Sequence, residues 1–170
     1  MSNPIYYFTP TGTGVSGDGS FVPDKAVICT QEQYKNPSAW AIENGQIIPN
    51  PNLLINAQAV QSQILSRACA GQITSGFTSS ALGAPRTYAS DSISQRNILL
   101  AAQSINGGLL SCADSTGAWS RQAHTQTQAQ QVAADFVTAS DAARAKLTGL
   151  EAQINAATTV TVVQAVMWGT

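Results

Sequence analysis

Three features of this 170-residue chain predict an α+β fold. Short β-rich runs broken by turn residues fill residues 1–52, apolar stripes of period 3.6 take over from Leu53, and hairpin signals then interrupt the helical part. The architecture expected is a small N-terminal β-rich region, residues 1–52, followed by a C-terminal α+β domain, residues 53–170, whose body holds three main helices, one of them long, with short β-hairpins.

The β-rich region opens on Ile5-Tyr6-Tyr7-Phe8, and Thr9 to Ser20, which includes Asp18-Gly19, reads as a loop or hairpin connection. Val27 to Thr30 is a second strand candidate. Thr30, three places before Gln33, forms a capping box for a short helix through Tyr34 that Asn36-Pro37 ends. Trp40 to Ile42 and Gln46 to Ile48 flank Asn44-Gly45, the strongest short hairpin signal. Pro49 to Asn52 marks the boundary.

Leu53, Ala57, Val60, Ile64 and Ala68 mark one face of the first main helix, which frays over Gly71 to Gly76. Phe77 to Ser80 and Arg86 to Tyr88 suit two strands around Leu82 to Pro85. Asp91 or Ser92 caps a second helix along which Ile93, Asn97, Leu100, Ala101 and Ser104 align, and Gly107-Gly108 stops it. Leu109 to Ala113 and Ala118 to Ala123 flank Asp114 to Gly117 as a further hairpin. The long helix runs from about Thr125 to Ala157 on a continuous stripe from Ala129 through Val132, Ala133, Phe136, Val137, Ser140, Ala143, Leu147 and Leu150 to Ile154. Thr158 to Trp168 fits a strand or a helix, and a short closing helix is the reading adopted.

Charge narrows the function. Only 10% of residues are charged and the net charge is -1, a field too weak to grip a phosphate backbone, so no nucleic-acid partner is expected. Ser, Thr, Asn and Gln make up about a third of the chain, a polarity without charge that suits protein contacts. No stretch approaches the ~20 apolar residues of a membrane span, and Met1-Ser2-Asn3-Pro4 does not read as a signal peptide, so no membrane partner is expected. Cys29, Cys69 and Cys112 are widely spaced and read as reduced, buried thiols.

No catalytic, cofactor-binding or metal-ligating residue is assigned. Gly12-Thr13-Gly14-Val15-Ser16-Gly17 matches the dinucleotide pattern, but no helix start follows it, so it reads as a turn. His124 is the only histidine and has no ligand spacing or nucleophile elbow around it. It stands beside a capping box, Thr125 with Gln128. Asp114, Asp135, Asp141 and Glu151 could pair for acid–base work only in a cleft that the sequence does not announce.

Phe77-Thr78-Ser79-Ser80-Ala81-Leu82-Gly83, then Arg86-Thr87-Tyr88, Asp91 and Gln95-Arg96-Asn97-Ile98, resembles a C-terminal domain of unknown function found in bacteriophage tail and tail-fibre assembly proteins. Trp119, His124-Thr125, the Leu147-Leu150-Gln153-Ile154 series and Val166-Met167-Trp168 fit the same pattern, over roughly residues 53–170. Tyr6-Tyr7, Gly19-Ser20-Phe21, Val22 to Val27, Glu32-Gln33-Tyr34, Asn44-Gly45 and Ile47-Ile48 are similar to the N-terminal pattern of the same proteins. The resemblance implies a phage- or prophage-encoded, non-enzymatic assembly factor without a cofactor, which binds a tail-fibre protein in the bacterial host cytoplasm. The alternative is a structural subunit retained in the virion tail, and a third reading is an enzyme of host penetration. Tyr6, Tyr7 and Trp40 are the candidate protein-binding residues, with the packing of a small β unit as the other use of such aromatics.

Overall fold

Ile5–Thr9 (β1) pairs antiparallel with Gly12–Ser16 (β2) on one side and Val27–Cys29 (β3) on the other, giving a three-stranded sheet in the order β2-β1-β3. The computed structural model describes residues 4–9, 11–17 and 21–169. The glycine-rich stretch is therefore a strand from Gly12 to Ser16 and not a turn. Asp18, Gly19 and Ser20 lie outside the described residues.

Gln31–Lys35 (α1) starts where the sequence places it. Gln33 N donates to Thr30 Oγ1 at 3.1 Å, and the Gln33 side chain accepts from Thr30 N at 2.9 Å, closing the capping box. A 3-10 turn over Pro37–Ala39 leads into the hairpin of Trp40–Glu43 (β4) and Gln46–Pro49 (β5). Asn44 and Gly45 both take positive φ, 51° and 76°, which matches the strand twist in a two-residue loop. These elements form the first of two compact units, Met1–Ala57, and Gln58–Thr170 forms the second.

The second unit is built on a four-stranded antiparallel sheet in the order β6-β7-β8-β9: Phe77–Ser79 (β6), Arg86–Tyr88 (β7), Gly108–Ala113 (β8) and Trp119–His124 (β9). Ser92–Gln103 (α3) enters between β7 and β8, and Gln126–Ala156 (α4) follows β9. The two helices pack on each other, α3 against β8 and α4 against β6. Phe77, Tyr88, Leu110 and Cys112 from the strands meet Ile98, Ala101 and Ala102 of α3 and Ala129 and Val132 of α4 in one core. Helices gathered on one side of an antiparallel sheet make the fold α+β.

Caps explain the helix starts. Asp91 accepts from Ile93 N and Ser94 N at 2.9 and 3.1 Å and from Ser94 Oγ at 2.6 Å, and these bonds hold its carboxyl below the usual carboxylate range. Thr125 and Gln128 form the capping box of α4. The short closing helix is present as Val160–Ala165 (α5), capped by Thr159. Cys29, Cys69 and Cys112 are all free and buried.

Two apolar faces differ from the sequence pattern. The helix Leu53–Thr74 (α2) runs on through Gly71, and it buries Gln61, Leu65 and Cys69, while Val60 and Ile64 remain 57% and 49% exposed. The stripe is rotated by one residue because Gln61 Nε2 donates to Val166 O at 2.7 Å, so a polar side chain lies in the core at no hydrogen-bonding loss. Gln58 Nε2 likewise donates to Ile154 O, and Trp168 Nε1 to Gln72 Oε1, which ties α2 to the end of α4 and to the C-terminal segment. On α3 the core positions are Ile98, Ala101 and Ala102, whereas Ile93 and Leu100 are exposed.

Candidate functional site

Tyr6 and Tyr7 are neighbours on β1, so their side chains leave opposite faces of the sheet. Tyr6 packs on Tyr34 of α1 with ring centroids 5.0 Å apart. Tyr7 lies over Gly14, its register partner, where a Cβ would run into the phenol ring. That close approach explains a glycine of the dinucleotide-like pattern as sheet packing. Trp40 lines a groove with Phe8, Thr13, Pro37 and Ile42, and all three aromatics are half-buried. Of the three candidate residues, Trp40 alone lines this groove, and Tyr6 and Tyr7 lie on opposite faces of β1.

The second unit holds a buried polar pair absent from the sequence reading. Tyr88 and His124 are 0% and 3% exposed, and Tyr88 Oη lies 2.7 Å from His124 Nε2. His124 Nδ1 lies 2.9 Å from Gln122 O, a carbonyl that can only accept, so in the neutral imidazole Nδ1 carries the proton and Nε2 accepts the Tyr88 O–H. The histidine is then more than a neighbour of the α4 cap, for it fastens β7 to the β9–α4 junction. Its signal in the sequence is faint: a lone histidine at the end of a strand, 36 positions from its partner.

Burial pushes the Tyr88 phenol up to about 12, with Cys112 adding to the shift and Arg86 opposing it. The folded value lies above the ordinary one near 10, so the unfolded chain releases this proton first as pH rises. The stability that Tyr88 contributes in its protonated form is therefore full below pH 10 and is lost between pH 10 and about 12. Urea unfolding across that window is expected to show a fall of about 3 kcal/mol from this group, and Tyr88→Phe is expected to remove that component.

Ser90 is a second buried connector. Its Oγ donates to Ile73 O at 2.7 Å and accepts from Gly76 N at 2.8 Å, and Gln95 Nε2 donates to Ser90 O. The end of α2, the entry to β6 and the start of α3 are held at one residue.

Between β6 and α4 runs an open groove of about 760 Å³, lined chiefly by hydroxyl, amide and methyl groups, among them Thr78, Ser80, Gln131, Thr138 and Ala139. Asp135 is its single charged residue, and its Oδ1 accepts from Gln131 Nε2 at 2.8 Å. Asp114 accepts from the Thr116 hydroxyl and from Thr116 N and Ala118 N, which holds its carboxyl below the usual range and gives it the role of a hairpin turn residue. Asp141 pairs with Arg144 at 2.9 Å on the exposed face of α4. No group of three or more His, Cys, Asp or Glu among the described residues is placed to hold a metal ion. No helix among them is long and apolar enough to cross a membrane.

Comparison of the chain with protein-family models, curated proteins and solved structures finds no match.

Proposed function

We propose that this chain is a phage- or prophage-encoded tail-fibre assembly factor, a non-enzymatic module that binds a fibre protein and keeps it soluble during assembly in the host cytoplasm. The reading comes from the resemblance, and one observation supports its use here: several of the residues that carry it are scaffold. Phe77 stacks on Tyr88, Tyr88 bonds His124, Thr125 caps α4, and Trp168 bonds Gln72 and lies over Lys146 Nζ at 4.9 Å. With those residues spent on holding the sheet and helices together, recognition falls to the surface, where Trp119 of the same motif is exposed and the groove beside β6 is lined chiefly by uncharged donors and acceptors. Such a surface suits a partner recognised by hydrogen bonds and shape.

Co-expression of the tagged chain with the fibre gene of the same tail operon tests the reading. A co-purifying complex and a larger soluble fraction of fibre are the expected results. Fibre that is equally insoluble with and without the chain, and no complex, would sink it. Presence of the chain in purified particles would select the retained tail subunit in place of the assembly factor.

A further inference from the structure

The sheet of the second unit ends on β9, and hydrogen-bond phase decides what that edge offers. Asp114 N donates to Ala118 O, which places Asp114–Ala118 among the hydrogen-bonded pairs of the β8–β9 ladder. Bonded and non-bonded pairs alternate along an antiparallel ladder, so Ser120, Gln122 and His124 bond to β8. The N–H and C=O groups of Trp119, Arg121 and Ala123 therefore point outward. All three residues are exposed, Trp119 at 55%. By the same phase Ala113 bonds to Thr87, so β6 at the opposite edge turns only Thr78 outward. No proline interrupts β9, and its one charged residue, Arg121, has no ion-pair partner among the described residues.

We propose that β9 is a docking edge for an extended segment of another protein, which adds as a fifth, antiparallel strand and places an Asp or Glu opposite Arg121. Main-chain bonds to Trp119, Arg121 and Ala123 supply affinity, and the side chains of these residues, which share one face, supply selectivity. Opposite charges directly across a ladder stabilise it, and β-branched or aromatic residues suit the positions facing Trp119 and Ala123. A second copy of the chain is disfavoured as occupant. The symmetric register that uses all three outward residues sets Trp119 against Ala123 and Arg121 against its own copy, and like charges directly opposite destabilise a ladder.

The inference rests on the fibre-binding reading only for the identity of the partner, and the edge is tested without a fibre. The probe is the capped heptapeptide Thr-Val-Thr-Glu-Thr-Val-Thr, compared with the same peptide carrying Lys at its centre, titrated into the full chain while backbone amide signals and hydrogen exchange are followed. The Glu peptide is expected to protect the amides of Arg121 and Ala123, leave that of Thr78 unchanged, and bind about fivefold more tightly than the Lys peptide. Arg121→Glu should reverse that preference. Ala123→Pro, which removes an outward N–H that the ladder does not use, should abolish binding with the circular dichroism unchanged. No protection at millimolar peptide, equal affinity for the two peptides, or protection that arises without peptide and grows with protein concentration would each overturn the proposal, the last in favour of a second copy. Fibre capture separates the two readings. Undiminished capture by both variants would refute the edge while the fibre reading stands, whereas peptide binding with no capture by the parent chain would refute the fibre reading while the edge stands.

Discussion

Replacing Tyr88 by alanine is expected to cost the second unit about 3–5 kcal/mol, the range for removing a buried aromatic side chain from a packed core. Tyr88 is fully buried at the centre of the sheet, its ring centroid lies 5.7 Å from that of Phe77, and its hydroxyl is the partner of His124 Nε2. Alanine removes the ring from the core and also leaves a buried nitrogen without a donor. Tyr88→Phe separates the two losses. It keeps the ring and forfeits only the hydrogen bond, at about 1–3 kcal/mol. Urea denaturation followed by circular dichroism, with Leu109→Ala as a control at a position 65% exposed, gives the three values. A Tyr88→Ala variant no less stable than the Leu109→Ala control would mean that the sheet core is not organised around this ring.

Local signals were legible in the sequence, and signals that depend on distant partners were not. Both capping boxes, the Asn44-Gly45 hairpin, the Asp114 turn and the stripe of α4 rest on residues a few positions apart, and each is found where its pattern places it, except that Val137 of the stripe is exposed. The buried face of α2 is different. Hydropathy chose Val60 and Ile64 over Gln61, and only the distant Val166 carbonyl makes Gln61 the better core residue. The alignment of Ile93 with Leu100 on α3 is likewise a true helical face, but the core takes Ile98, Ala101 and Ala102 because β8 comes close to the helix there: a Cβ on Gly108 would crowd that of Ala101. For the candidate binding residues, the sequence could name Tyr6, Tyr7 and Trp40 as aromatics. Only the strand phase shows that the first two leave opposite faces of β1. The open edge of β9 was out of reach for the same reason, since which amides point outward depends on the register of a whole ladder.

Gly107→Ala is expected to be the most damaging glycine-to-alanine change among the described residues, at about 2–5 kcal/mol, for two causes that can be measured apart. Gly107 holds a φ of +67° in the turn between α3 and β8, where its N–H bonds Ser104 O, and an L side chain in that region costs about 1–2 kcal/mol. The added methyl group also runs into the His124 carbonyl oxygen and crowds the backbone of Thr125 and Gln126, so it presses on the strand end that carries the Tyr88 partner and on the first turn of α4. Forcing a group into occupied space adds about 1–3 kcal/mol. Gly117 provides the comparison, because it has the same kind of backbone, φ +82°, with nothing within 4 Å of its position for a Cβ. Gly117→Ala should therefore show the conformational cost alone. The excess of Gly107→Ala over Gly117→Ala measures the close approach of the α3–β8 turn to the β9–α4 junction. Equal losses for the two would mean that the turn and the junction are further apart than the structure places them, and that the Tyr88–His124 bond does not depend on a glycine at 107.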